Sequence, residues 1–142
     1  MRIKIKRIDK SLPLPAYQTP GALGIDLCAR EDVVVAPLEL RLIPLNVVVE
    51  VLDKRYATLL VPRSSLASTG LIQANSIGVI DHDYCGENDE IKICVYNLKD
   101  EAVTVYRGQR VAQLLFVRWE KCDIIEVSSV SDRSRGGFGS TG

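Results

Sequence analysis

VVVAPLELRLIPLNVVVEVLDKRYATLLVP, residues 33 to 62, is a series of aliphatic and β-branched runs cut at Pro37, Pro44 and the turn Asp53 to Arg55. Such side chains fit a pleated, half-buried surface, and a proline cannot donate to a ladder, so the stretch reads as four short strands in a β meander. Val47 to Val49 is apolar at successive positions and therefore on both faces, as in a strand sandwiched between sheets or packed at a subunit interface. This segment is assigned scaffold duty.

The flanks carry the same pattern. Arg2, Lys4 and Lys6 alternate with Ile3 and Ile5, and Ile8 follows after a slip at Arg7, the period of a half-buried first strand. Near the other end, AVTVY and RVAQLLFVRW are two more strands, with Gly108 and Gln109 making the turn between them. Gln113 interrupts the second of these runs and needs a hydrogen-bond partner there. With no long helical periodicity, the expected fold class is all-β.

Composition narrows the class. A chain of 142 residues is one domain by length and can bury a core without metals or disulfides. Eighteen basic residues balance eighteen acidic ones, so no global field recommends nucleic acid as a partner, and any bound anion must be met locally. The start, MRIKIKRIDK, lacks the continuous apolar run of a signal peptide or membrane span, which makes a reduced, cytoplasmic setting the expectation. Cys28, Cys85, Cys94 and Cys122 form no CxxC pair and only one histidine could join them, which argues for free thiols over a structural zinc site.

The chemistry is concentrated in four places. In GVIDHDYCGE, residues 78 to 87, an apolar strand runs into Asp81, His82, Asp83 and Tyr84: a proton acceptor beside an aromatic platform, or a charged strand end. His82, between two aspartates, reads as a surface residue. Asn75 lies six residues before Asp81, so on one continuous strand the two would share a face. In GALGIDLCA, residues 21 to 29, glycines deliver Asp26 into a strand, where a carboxylate bonding its own turn is the plain alternative to a functional one. In VPRSSLASTG, residues 61 to 70, Ser64 or Ser65 is expected to cap a short helix closed by Gly70. With Arg63 beside them this is either a compact anion site or an ordinary capped helix. The tail SDRSRGGFGSTG has the composition of a disordered terminus and the ingredients of a flap that orders on a ligand.

Taken in order, GALGIDL, PRSSLA, GVIDHDYCGE, GQRVAQLLF and RSRGGFGSTG resemble the five motifs of the trimeric dUTPase family, over Tyr17 to Gly142. The resemblance takes Asp26, Arg63 and the tail out of the structural roles each suggests alone. It implies a jelly-roll-like β fold, a homotrimer with exchanged C-terminal arms and shared active sites, and Mg2+-dependent hydrolysis of dUTP to dUMP and pyrophosphate, which limits uracil in DNA and supplies dUMP for dTMP synthesis. It further implies a β domain at 1–132 and a glycine-rich flap at 133–142.

Carried over by position, Asp81 would activate the water and Arg110 brace the active-site carboxylate. Tyr84 would lie under deoxyribose, and Asn75 would read the uracil edge with the backbone around Ile91, Lys92 and Ile93. Arg63, Ser64 and Gln113 would contact phosphate oxygens, and Asp26 would hold a water bound to Mg2+. Arg133, Gly139, Ser140 and Thr141 would grip the outer phosphates while Phe138 covers the uracil. Three positions depart from the family pattern: Ser65 and Ser134 stand where glycine is usual, and the hairpin after Tyr84 is longer. PRSSLA also resembles a dCTP deaminase motif, but that family's catalytic glutamate position is Cys94 here. A noncatalytic nucleotide-binding trimer is the third reading.

Overall fold

A computed structural model describes residues 1–131 and 136–137. It is an antiparallel β structure with one short helix: β1 (Ile3–Arg7), β2 (Ile25–Cys28), β3 (Val33–Val35), β4 (Leu40–Pro44), β5 (Val47–Val51), β6 (Tyr56–Pro62), α1 (Ser64–Ser68), β7 (Leu71–Gln73), β8 (Gly78–Ile80), β9 (Lys92–Asn97), β10 (Val103–Val105) and β11 (Arg110–Arg118). Four strands form the sheet β2-β11-β6-β8 and three form β4-β9-β7, while β1 pairs with β5 and β10 with β3.

None of these pairings joins strands adjacent in sequence. The meander expected for residues 33–62 is therefore not formed: β3, β4, β5 and β6 each take a partner distant in the chain. The same correction applies to two expected hairpins. Gly108 does turn the chain at φ +81, with Gln109 N donating to Tyr106 O, yet β10 and β11 pair elsewhere. β8 and β9 belong to different sheets, so GENDE lies on a crossover between them. The physical reason lies in burial. Val47, Val48 and Val49 are all buried, so β5 must be covered on both faces, which the strand following it on one sheet cannot do. The result is the jelly-roll-like all-β fold, its core built on Leu27, Ile43, Leu60, Leu71, Ile93 and Leu114.

All four cysteines are free; Cys28 is buried, which pushes its thiol pKa up. Among the described residues regular structure ends with β11. Residues 119–131 form no strand or helix, and Ile124 and Val130 are 96% and 93% exposed. No helix among the described residues is long and apolar enough to cross a membrane.

Candidate active site

Asp26 is the centre of the first of two candidate functional clusters. It is buried in β2, and one of its oxygens, Oδ2, meets Arg63 Nε at 3.1 Å and Arg110 Nη1 at 3.2 Å. Three strands converge to make this possible. Asp26 stands opposite Gln113 across the β2–β11 ladder, which puts both side chains on one face, and Arg110 begins β11 just before a bulge. Arg63 directly follows β6, its N–H donating to Val111 O at 3.0 Å. Gln113 Nε2 lies 3.4 Å from Pro62 O, and its amide rests directly on Gly24, where a Cβ would fall 2.2 Å from Gln113 Oε1. That contact is why the second glycine of GALGID has no side chain.

Two guanidinium groups against one carboxylate leave the cluster with a net positive charge, receptive to an anion. Asp26 and Arg110 also line a cleft of about 430 Å3 with Pro13, Leu14, Gln18 and Cys28. The helix capping expected of Ser64 or Ser65 does not occur. Arg63 is the N-cap residue, extended at φ −73 and ψ 148, and no side chain caps the helix. Its side chain is committed to Asp26, and Ser64 is left exposed beside it.

The second cluster lies at the end of β8. Asp81 is exposed and forms no ion pair among the described residues. A turn closed by Tyr84 N donating to Asp81 O at 3.2 Å brings the tyrosine back beside it, and Tyr84 Oη donates to Glu90 O at 3.0 Å. Glu90 was not singled out from the sequence. It is buried, and its Oε1 accepts from Arg30 Nε and from Asn46 N, both at 2.8 Å, which pins the crossover to the core. Its only sequence signal is its place as the last acid of GENDE, directly before the strand run Ile91 to Val95.

His82 is also more than a surface residue. Its Nε2 lies 2.8 Å from Tyr56 O, an acceptor only, so Nε2 carries the proton, and its ring packs on Trp119 at a centroid distance of 5.7 Å.

Asn75 and Asp81 do not share a strand. β7 ends at Gln73, Ser76 takes φ +61, and β8 begins at Gly78 in another sheet, so the even spacing carries no facing rule. Both are nevertheless exposed, and Gln73 Nε2 donates to Asn75 Oδ1 at 3.2 Å. Lys92 is exposed at the start of β9, opposite Pro44. Cys94 is half-buried in the same strand opposite Leu42. Arg133, Phe138, Gly139, Ser140 and Thr141 lie outside the described residues.

The two clusters are far apart within one chain. β2 and β8 are opposite edges of the sheet β2-β11-β6-β8, about 14 Å across at three strand spacings. Gln113, facing Asp26, pairs with Val61, whereas Ile80 pairs with Thr58, so Asp81 lies about 13 Å further along. Arg110, expected beside the active-site carboxylate, is ion-paired to Asp26. Among the described residues no group of three His, Cys, Asp or Glu side chains could cage a metal.

The model of the family described as dUTPase matches residues 10–142. A deoxyuridine 5'-triphosphate nucleotidohydrolase of Thermoanaerobacter sp. (strain X514) is 44% identical, covering 99% of this chain and 97% of its own. One from Hydrogenobaculum sp. (strain Y04AAS1) is 40% identical, covering 100% and 99%. Among solved structures, the dUTPase of Staphylococcus bacteriophage 80alpha with dUPNHPP superimposes with a TM-score of 0.83 at 26% identity, covering 99% of this chain and 98% of its own. The dUTPase of Streptococcus mutans gives 0.76 at 29%, covering 84% and 98%.

Proposed function

The chain belongs to the dUTPase family and hydrolyses dUTP to dUMP, and from that premise we propose how its residues share the work. The observation that carries the reading is the joint grip of Arg63 and Arg110 on one oxygen of Asp26, which builds a net-positive pocket for the triphosphate. Gln113 and Ser64 extend it with an amide and a hydroxyl. Asp81 is the base: its exposed carboxylate orients a water and accepts its proton as oxygen attacks phosphorus. The bond to the bridging oxygen then breaks, and pyrophosphate leaves in line. Tyr84, fixed through its hydroxyl to Glu90 O, presents its ring to the deoxyribose, and Asn75 reads the base.

The donor set suits magnesium. A single buried carboxylate with both arginine contacts on Oδ2 fits an ion held through its own waters and the substrate's phosphates, since magnesium keeps waters and needs no protein cage. Asp26 would hold such a water. When bound, the ion neutralises charge on the phosphates.

A base and a phosphate pocket separated by about 14 Å across the sheet and about 13 Å along it cannot serve one substrate within one chain. We therefore assign the active sites to a homotrimer, with the Asp26 cluster of one subunit facing the Asp81–Tyr84 corner of another. The exposed side chains Ile124 and Val130 suit an arm laid on a neighbour, followed by the 133–142 flap that carries Arg133 and Phe138. A site of the enzyme in the cytoplasm, on the deoxynucleotide pool, accords with this chemistry.

The test is subunit complementation. Asp26→Asn and Asp81→Asn proteins each bind dUTP and turn it over slowly, and mixing them under subunit exchange restores pyrophosphate release, because a mixed trimer holds one site with both carboxylates. No recovery in a mixture shown to exchange would refute the shared site. Ammonia released from dCTP would instead support a deaminase.

A further inference from the structure

Gln73 is a buried amide at the end of β7 whose Nε2 donates twice, to Leu60 O at 3.1 Å and to Asn75 Oδ1 at 3.2 Å. Its Oε1 is buried and has no partner among the described residues. We infer that Gln73 sets the direction of the Asn75 amide, and through it makes the base site select a carbonyl over an amino group. This rests on the reading of Asn75 as the base-contacting residue.

The chain of reasoning begins at a backbone carbonyl, which can only accept. Turning the Gln73 amide over would set Oε1 against Leu60 O, acceptor on acceptor, so the nitrogen must face that carbonyl. The constraint lies in the two donors, since they hold the amide this way although its own acceptor goes unpaired. The second N–H then takes Asn75 Oδ1, and Asn75 can present only Nδ2 outward. Leu60 belongs to β6 and Gln73 to β7, in different sheets, so the relay is anchored in the packing of the two layers.

An outward N–H2 suits uracil, whose ring edge carries a carbonyl oxygen beside N3–H. Cytosine carries an amino group at that carbonyl position, which would place donor against donor. Leaving buried polar groups mismatched discriminates more strongly than a change of shape does. Gln73 is on this account a positioning residue, since it acts through Asn75.

The experiment measures kcat and KM with dUTP and dCTP, by pyrophosphate release, for the wild type, Asn75→Ala, Gln73→Met and Gln73→Glu. Methionine keeps the length of glutamine but donates nothing. Gln73→Met is expected to hold kcat on dUTP within about twofold while the dUTP-to-dCTP ratio of kcat/KM falls roughly tenfold through KM, about the worth of one oriented hydrogen bond. Glutamate, protonated in this buried site, donates its O–H to Leu60 O and turns a carbonyl oxygen to Asn75, so it should draw Nδ2 inward, turn Asn75 Oδ1 to the base and raise kcat/KM for dCTP above that of the wild type. If Gln73→Glu does not fold, Gln73→Met decides alone. A wild-type ratio in Gln73→Met, or a fall in kcat with the ratio intact, overturns the inference while Asn75→Ala still collapses the ratio. An unchanged ratio in Asn75→Ala overturns the base-reading assignment and the inference with it.

Discussion

Replacing Glu90 with alanine should both destabilise the fold and loosen the tyrosine corner. The carboxylate is 9% exposed and accepts two hydrogen bonds on Oε1. One comes from the backbone of Asn46, which is 1% exposed. Without Glu90 that N–H is left buried and unpaired, at about 1–3 kcal/mol. The other comes from Arg30, whose side chain is 29% exposed and keeps Glu31 at 3.3 Å, so its loss is screened to about 0–1 kcal/mol. With about 1 kcal/mol for the apolar stem, the total is about 2–5 kcal/mol.

Glu90→Gln keeps an acceptor of the same shape in place and should cost about 1 kcal/mol or less. The assay is urea unfolding at one fixed protein concentration, because the stability of an oligomer depends on it. Since Tyr84 Oη bonds Glu90 O, the alanine variant should also show a raised KM for dUTP. An alanine variant within about 0.5 kcal/mol of the wild type, or a glutamine variant as damaged as alanine, would refute the reasoning.

Three further outcomes follow from the same geometry. Gly24→Ala places a Cβ 2.2 Å from Gln113 Oε1 and 3.0 Å from Gln113 Cβ, so the Gln113 side chain must move off Gly24 and away from Pro62 O. Kinetics should show kcat/KM lowered about tenfold with an overpacking cost of about 1–3 kcal/mol, and wild-type kinetics would contradict the Gln113 assignment. Arg107 and Ser11 hold the Asp9 carboxyl well below its ordinary value of 3.8. That stabilising contribution is present above pH 3.8 and is lost as pH falls toward the lowered pKa, so the stability gap between wild type and Asp9→Asn should narrow steadily as pH falls below about 4 in acid unfolding. A gap of the same size at pH 4 and at pH 2 would count against this pairing. Deleting residues 133–142 should abolish most turnover while sizing still reports the trimer; a monomer would make the tail structural.

The sequence alone determined the class of the fold and which chemical groups each segment carries. β-branched runs punctuated by proline and turn residues are local properties, and Asp26, Arg63, Asp81, Tyr84 and Gln113 sit in segments whose composition already suits phosphate and nucleoside. Pairing was not legible. Aliphatic strands of similar length present interchangeable edges, so nothing local says that β5 takes β1 or that β11 lies between β2 and β6. Glu90 and Gln73 went unrecognised, and His82 reads in the sequence only as a surface residue, for the same reason: each bonds a backbone group distant in the chain, at Asn46, Leu60 and Tyr56. The tertiary structure alone decided that Arg110 meets Asp26 and that Asp81 stands on the far edge of the same sheet. β-ladder bonds join residues remote in sequence, so a site assembled across strands has a geometry that no linear spacing encodes.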